Sequence, residues 1–250
     1  MTDRRLEKRV ELDATPEQVW EAIATGPGIS AWFVPHEIAD DGTVTQRFGA
    51  GFDATATVTA REEGSRFALA ADNPDGMPSQ AFEFLVEGRD GGGAVLRFVQ
   101  SGFLDEPGWE TEYNSFDTGW DLFFHNLRAY LEHFAGQPVH NVVTVAYTPA
   151  DRATAWPVLH RALGIDGHPA VGTEITLTPD GIAPITGVVD AAGAEFLGIR
   201  SEHGLHRIGA EGDAGCGVSA YHYFYGEPVD VDALTAAWQG WLERLFPVAV

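Results

Sequence analysis

One local grammar occurs twice and constrains this chain more than any other feature. The alternating run Arg9-Val10-Glu11-Leu12-Asp13 leads into Thr15-Pro16-Glu17-Gln18. Thr15 suits a helix cap, Pro16 the first helical position, and Gln18 the reciprocal capping-box partner. Asn141 to Tyr147 alternates likewise, and Thr148-Pro149-Ala150-Asp151 repeats the cap, the proline and a polar third residue. Each opening is followed by short alternating runs and then by an amphipathic helix. In the first, Tyr113, Phe116, Trp120, Phe123, Leu127, Leu131 and Phe134 form one apolar stripe; in the second, Leu234, Trp238, Trp241 and Leu245 do. Laying Trp120 on Trp238 brings Phe124 onto Leu242 and Leu127 onto Leu245. The pattern predicts an α+β chain made by tandem duplication, with units over 1–135 and 139–250 joined at Ala135-Gly136-Gln137-Pro138.

Between the helices, strands are predicted near 43–49, 53–62, 66–71, 80–88 and 93–101, and again near 171–178, 184–190, 194–200, 204–210 and 216–225. Phe82, Phe84 and Val86 share a face opposite Glu83 and Glu87, the pattern of an antiparallel sheet wet on one side. Asp41-Gly42, the run Asp90-Gly91-Gly92-Gly93 and Asn73-Pro74-Asp75-Gly76 mark turns or loops, the last of them long. Helices are expected at 149–163 and 231–246, and Gly26-Pro27-Gly28 reads as a glycine-rich break before Trp32.

Composition narrows the partners. The 250 residues carry 37 acidic against 15 basic side chains, a formal charge of -22, so a nucleic acid or an anionic bilayer is repelled. One cysteine, Cys216, permits no internal disulfide and no multi-cysteine metal site. No apolar run approaches a membrane span, and the N-terminus lacks a signal-type apolar region, so the expectation is a cytoplasmic protein.

Three residue groups carry a family likeness: Val19-Trp20-Glu21-Ala22-Ile23, then Ile29-Ser30-Ala31-Trp32-Phe33, then Gly119-Trp120 with Leu127 and Leu131. Through them residues 6–134 resemble the START/Bet v 1-like (SRPBCC) superfamily, and within it the activator of heat-shock protein 90 ATPase C-terminal-like branch. The resemblance implies a helix-grip fold, a bent antiparallel sheet gripping a long C-terminal helix over a cavity. It also implies possible co-chaperone behaviour. The second unit fits the outline more loosely and is expected to be a shorter, divergent helix-grip domain.

The candidate site is aromatic. Trp32, Phe67, Phe82, Phe84, Phe98, Trp109, Phe116, Trp120 and Phe123 are taken as ligand-binding residues of a pocket for a hydrophobic or aromatic small molecule, against the competing reading that they only pack. Asp121 and His125 lie four apart and read as a solvated pair rather than a catalytic one. Gln100, Tyr113 and Asn114 are the nearest polar groups. His203, His206 and His222 are weighed as a zinc set and set aside, since no helical His-Glu-x-x-His run accompanies them. Gly49-Ala50-Gly51 precedes a β-like run, so no dinucleotide site is expected. No catalytic residue, cofactor or metal is assigned. The expected function is non-enzymatic ligand binding by a monomer or homodimer. A protein-interaction module and a cyclase or hydrolase using the same cavity are the alternatives.

Overall fold

The computed structural model describes the backbone of residues 5–49, 51–71, 80–103, 109–212 and 215–247; the side chains of 109–112 and 115 lie outside the description. The Asn73–Gly76 loop and Glu106 fall outside it as well. Contacts divide the chain into two compact units, one of residues 1–47 and 53–137, the other of 138–250 with 48–52.

The first unit opens with β1 (Arg5–Leu12), α1 (Pro16–Ala24) and α2 (Gly26–Ser30). Next come β2 (His36–Ile38), β3 (Thr43–Arg47), β4 (Asp53–Glu62), β5 (Arg66–Ala71), β6 (Ala81–Gly88) and β7 (Ala94–Ser101), and α3 (Trp109–His133) closes the unit. The seven strands form one antiparallel sheet in the order β1-β7-β6-β5-β4-β3-β2. The chain thus runs from one edge to the other and returns strand by strand until β7 meets β1. Register puts Phe67 opposite Phe84 and Phe84 opposite Phe98, so three neighbouring strands turn phenyl rings to the same face. α3 lies over that face. Its Asp117 and Asp121 both reach Lys8 of β1, at 2.7 and 2.6 Å. Burial alone would lower the Lys8 ammonium pKa, but hydrogen bonds to the two carboxylates outweigh it and raise the pKa.

The capping box at Thr15 forms in full: its side chain accepts from the Gln18 amide, and Gln18 accepts from the Thr15 amide. Gly26-Pro27-Gly28 is helical rather than a break. Thr25 caps it and its hydroxyl accepts from Gly28 N, while a Cβ on Gly28 would stand 2.0 Å from the Glu21 carbonyl oxygen. The glycine therefore allows α1 and α2 to meet backbone to backbone.

The second unit contains β8 (Val139–Thr148), α4 (Arg152–Leu163), β9 (Glu174–Leu177), β10 (Ile185–Ala192), β11 (Phe196–Ser201), β12 (Gly204–Glu211), β13 (Cys216–Tyr225) and α5 (Val231–Leu245). Its order, β8-β13-β12-β11-β10-β9, repeats that of the first sheet with one strand fewer, and one helix rather than two follows its opening strand. Two antiparallel sheets, each carrying a closing helix, give the α+β tandem helix-grip architecture. α5 covers its sheet through Trp238 and Trp241, and Gln239 exchanges hydrogen bonds with the Val145 backbone. The second helix start differs from the expected one. Thr148 still pairs with Cys216 as the last residue of β8, and Asp151 caps α4 by accepting from Thr154 N.

Candidate functional site

The face between the first sheet and α3 is an aromatic interior built around Trp120. Its ring centroid lies 4.1 Å from Phe98, 5.0 Å from Phe33, 5.4 Å from Phe124 and 5.6 Å from Phe82. Trp32 stacks on Phe33 and Phe124 and meets Phe84 edge-on. Such offset and T-shaped contacts add about 0.5–1.5 kcal/mol each beyond area burial. Helical spacing explains the convergence: Trp120, Phe123, Phe124 and Leu127 fall on one stripe, and the two-residue period of β6 and β7 raises Phe82, Phe84 and Phe98 to meet it.

Each buried polar group in this interior is answered by another. Trp120 Nε1 donates to Gln100 Oε1 at 2.7 Å, and Gln100, fully buried, donates to Gln80 at 3.3 Å. Trp32 Nε1 donates to the Ala22 carbonyl, and Asn126 donates to the Trp32 carbonyl. Behind Phe33, buried His36 has its pKa lowered to about 4 by desolvation. The neutral ring, with its proton on Nδ1, donates to Val34 O at 2.7 Å and accepts from Gln46 Nε2 at 2.9 Å.

Of the nine aromatic candidates, Trp32, Phe82, Phe84, Phe98, Trp120 and Phe123 come together in this cluster. Phe67 faces the same way but lies against Trp20 of α1, with the Arg61 guanidinium over both rings. Phe116 is half-buried and meets Phe103, which in turn meets Tyr113. The Trp109 side chain lies outside the described residues. Trp120 fills the centre of the interface, so the accessible aromatic surface is the half-buried set Phe82, Phe103, Tyr113, Phe116 and Phe123, with Gln80 beside Phe82. Phe33 and Phe124 also belong to the cluster, beyond the nine residues the sequence singles out. Their signals were present, Phe124 four residues after Trp120 and Phe33 next to Trp32. The His36–Gln46 bond had no periodic signal, because it joins a three-residue edge strand to its neighbour.

The polar candidates separate. Asp121 is exposed and turns to Lys8 on β1, so the ion pair it forms reaches across the fold. His206 and His222 do meet: opposite each other in register, fully buried, they share an Nδ1–Nδ1 hydrogen bond of 3.0 Å. His203, 77% exposed at its side chain, does not join them, and the described residues contain no group of three or more metal-ligating side chains placed to hold an ion. Trp238 covers His222 at 4.2 Å, much as Trp120 covers Phe98 at 4.1 Å. The register equates Phe84–Phe98 with His206–His222, at ring separations of 5.1 and 5.2 Å. The second unit therefore replaces a phenyl pair by an imidazole pair under the same tryptophan. Burial raises the Cys216 thiol pKa, which opposes thiolate formation.

In the first unit the groups at the rim of the cluster are half-buried aromatic rings and the Gln80 side chain, while the Gln100 amide behind them is engaged by Trp120 and Gln80. Residues 13–132 match the family model described as activator of Hsp90 ATPase homolog 1-like protein. No curated protein matches the chain. Among solved structures, the di-domain ARO/CYC BexL from the BE-7585A biosynthetic pathway is 12% identical, covering 99% of this chain and 100% of its own, with a TM-score of 0.47. DynU16, a putative protein of the dynemicin biosynthetic locus, is 19% identical, with coverages of 96% and 97% and a TM-score of 0.45. The Aha1 dimer of Colwellia psychrerythraea is 21% identical over 52% of this chain and 96% of its own, with a TM-score of 0.43. At such low identity these likenesses carry none of the relatives' activities to this chain. No helix among the described residues is long and apolar enough to cross a membrane.

Proposed function

We propose, from a first unit whose residues 13–132 belong to the activator of Hsp90 ATPase homolog 1-like family of the START/Bet v 1-like superfamily, that this unit binds a hydrophobic or aromatic small molecule without transforming it. The observation that carries the reading is the contrast of exposure within the aromatic interior. Trp32, Phe33, Phe84, Phe98, Trp120 and Phe124 are buried, whereas Phe82, Phe103, Phe116 and Phe123 at its rim remain half-buried. A planar apolar guest gains most by covering those rings, since apolar burial contributes about 25 cal/mol per Å². The hydrogen-bonded Trp120–Gln100 pair forms the floor against which it rests. In this reading residues 1–135 are the binding domain and 139–250 a divergent helix-grip neighbour.

The test is titration of the full chain with N-phenyl-1-naphthylamine, an uncharged aromatic fluorophore. Saturable binding with energy transfer from tryptophan is expected, weakened at least tenfold in the Phe82→Ala/Phe116→Ala double variant. Absence of saturation, or an affinity that the double variant leaves unchanged, refutes the assignment.

A further inference from the structure

The second unit has a groove of its own, at the edge of its core, where buried Trp156, Ile165 and Leu197 reach the surface beside α4. Two adjoining depressions of about 280 and 360 Å³ share Trp156, His160 and His168 as a common wall. The first is lined otherwise by Pro169, Ala192–Ala194, Phe196 and Leu197; the second adds Arg161, Ile165 and Asp166.

Three ring systems stand in series along that wall. Trp156 and His160 are 5.1 Å apart between centroids, and His160 and His168 5.4 Å. Trp156 is fixed because its Nε1 donates to the Ala194 carbonyl at 2.8 Å. The opposite lip is the β10–β11 turn, where Ala192, Gly193 and Ala194 present almost no side chain. A Cβ on Gly193 would already stand 3.3 Å from the Phe196 ring. Small residues on one side and flat rings on the other leave a slot suited to a planar apolar body. At about 280 Å³ the apolar half lies near the lower end of the size range of ligand pockets, so the body is small.

Charge selects the rest of the ligand. On a chain of formal charge -22, this groove is bordered by Arg161 and two imidazoles against the single carboxylate of Asp166. Arg161 makes no ion pair among the described residues. Glu195, the carboxylate on the turn, is committed to Arg152 at 2.5 Å. Burial, and then the neighbouring His168, lower the His160 pKa, so the His160 ring presents an uncharged face to a guest and the Arg161 guanidinium is the cation at the groove.

We propose that this groove is a second ligand site, for a small planar aromatic monocarboxylate whose ring lies along Trp156 and His160 and whose carboxylate meets Arg161 and His168. The site is separate from the aromatic interior of the first unit and does not depend on it.

The probes are 2-naphthoate and its uncharged counterpart 2-naphthamide, titrated into the full chain while the Trp156 indole N–H and the His160 and His168 ring signals are followed by NMR. The acid is expected to bind at least tenfold tighter than the amide, and Arg161→Gln to remove that preference. Ala192→Phe, an exposed substitution that fills the slot, is expected to weaken both probes at least tenfold. The Phe82→Ala/Phe116→Ala variant is expected to leave these signals and affinities unchanged, which separates this site from the first. Equal binding of acid and amide overturns the proposal. So does binding that Ala192→Phe leaves intact, or perturbation confined to first-unit residues.

Discussion

Acidification from pH 7 to 5 is expected to destabilise the second unit, through His206 and His222, more than the first, which holds the single buried imidazole of His36 with its pKa lowered to about 4. Desolvation is the first cause for both: it lowers the His206 pKa to about 3, with Arg207 adding to the effect, and holds His222 well below the ordinary imidazole value, with His206 adding. A base whose folded pKa is depressed favours folding fully above its unfolded pKa. That contribution is lost as pH falls below about 6.5 and until the folded pKa is reached. At pH 5 each group lies about 1.5 units below the unfolded value, which costs about 2 kcal/mol per imidazole and about 4 kcal/mol for the pair. Set against a typical domain stability of about 5–15 kcal/mol, this is a large fraction. The charged groups nearest the pair do not rescue it, because Arg207 repels a proton and Asp190 is engaged bidentately by Arg207 at 2.8 Å. Hydrogen exchange of the β12 and β13 amides, corrected for intrinsic rates, reads the opening free energy at both pH values. The double variant His206→Phe/His222→Phe restores the phenyl pair of the first unit and is expected to flatten the dependence. At pH 7 it is expected to be nearly neutral, since both partners of the Nδ1–Nδ1 bond are replaced, the unpartnered His222 Nε2 is removed, and the Ser201 hydroxyl that meets His206 Nε2 keeps the Gly204 carbonyl as acceptor. A loss below about 1 kcal/mol in the wild-type protein, or the same loss in the double variant, refutes the reasoning.

Three further outcomes follow from the packing. Gly28→Ala drives a methyl into the Glu21 carbonyl and is expected to lower first-unit stability by about 3 kcal/mol, measured by urea denaturation. Asp151→Ala is expected to cost about 1 kcal/mol of second-unit stability, and Thr148→Ala less than half of that, because Asp151 holds the α4 cap; equal losses refute that placement. Trp120→Ala empties the centre of the aromatic interior and is expected to cost about 3–5 kcal/mol while increasing the amount of N-phenyl-1-naphthylamine bound; a loss of dye binding without unfolding shows that the indole itself is the binding surface.

The elements that were legible in the sequence are those fixed by local periodicity. Phe82, Phe84 and Val86 alternate with Glu83 and Glu87, and the inward face of β6 follows from the pleat alone. The capping box at Thr15 is likewise contained within four residues. The second cap was displaced because β8 continues to Thr148, and its end is set by β13, whose Cys216 lies remote in sequence. How fully the interior is filled was not legible either. A stripe says that Trp120 faces the sheet, but its contact with Phe98 at 4.1 Å depends on side-chain rotamer and on the distance between helix and sheet. The accessible surface therefore contracts from nine aromatics to the half-buried rings at the rim of the cluster.

The correspondence of Trp120 and Trp238 extends beyond the helices, because each tryptophan covers the residue beneath it on the last strand of its sheet. Under one lies phenylalanine, under the other histidine, each paired across the register with its own kind. Two copies of one architecture then differ in what their interiors tolerate. A phenyl pair accepts apolar contact and is indifferent to pH. A buried imidazole pair leaves an unanswered Nε2 and resists protonation. The first interior is accordingly the one whose walls suit an apolar guest. In the second unit the open space lies at the edge of the core, along Trp156 and His160, with the Arg161 guanidinium beside it.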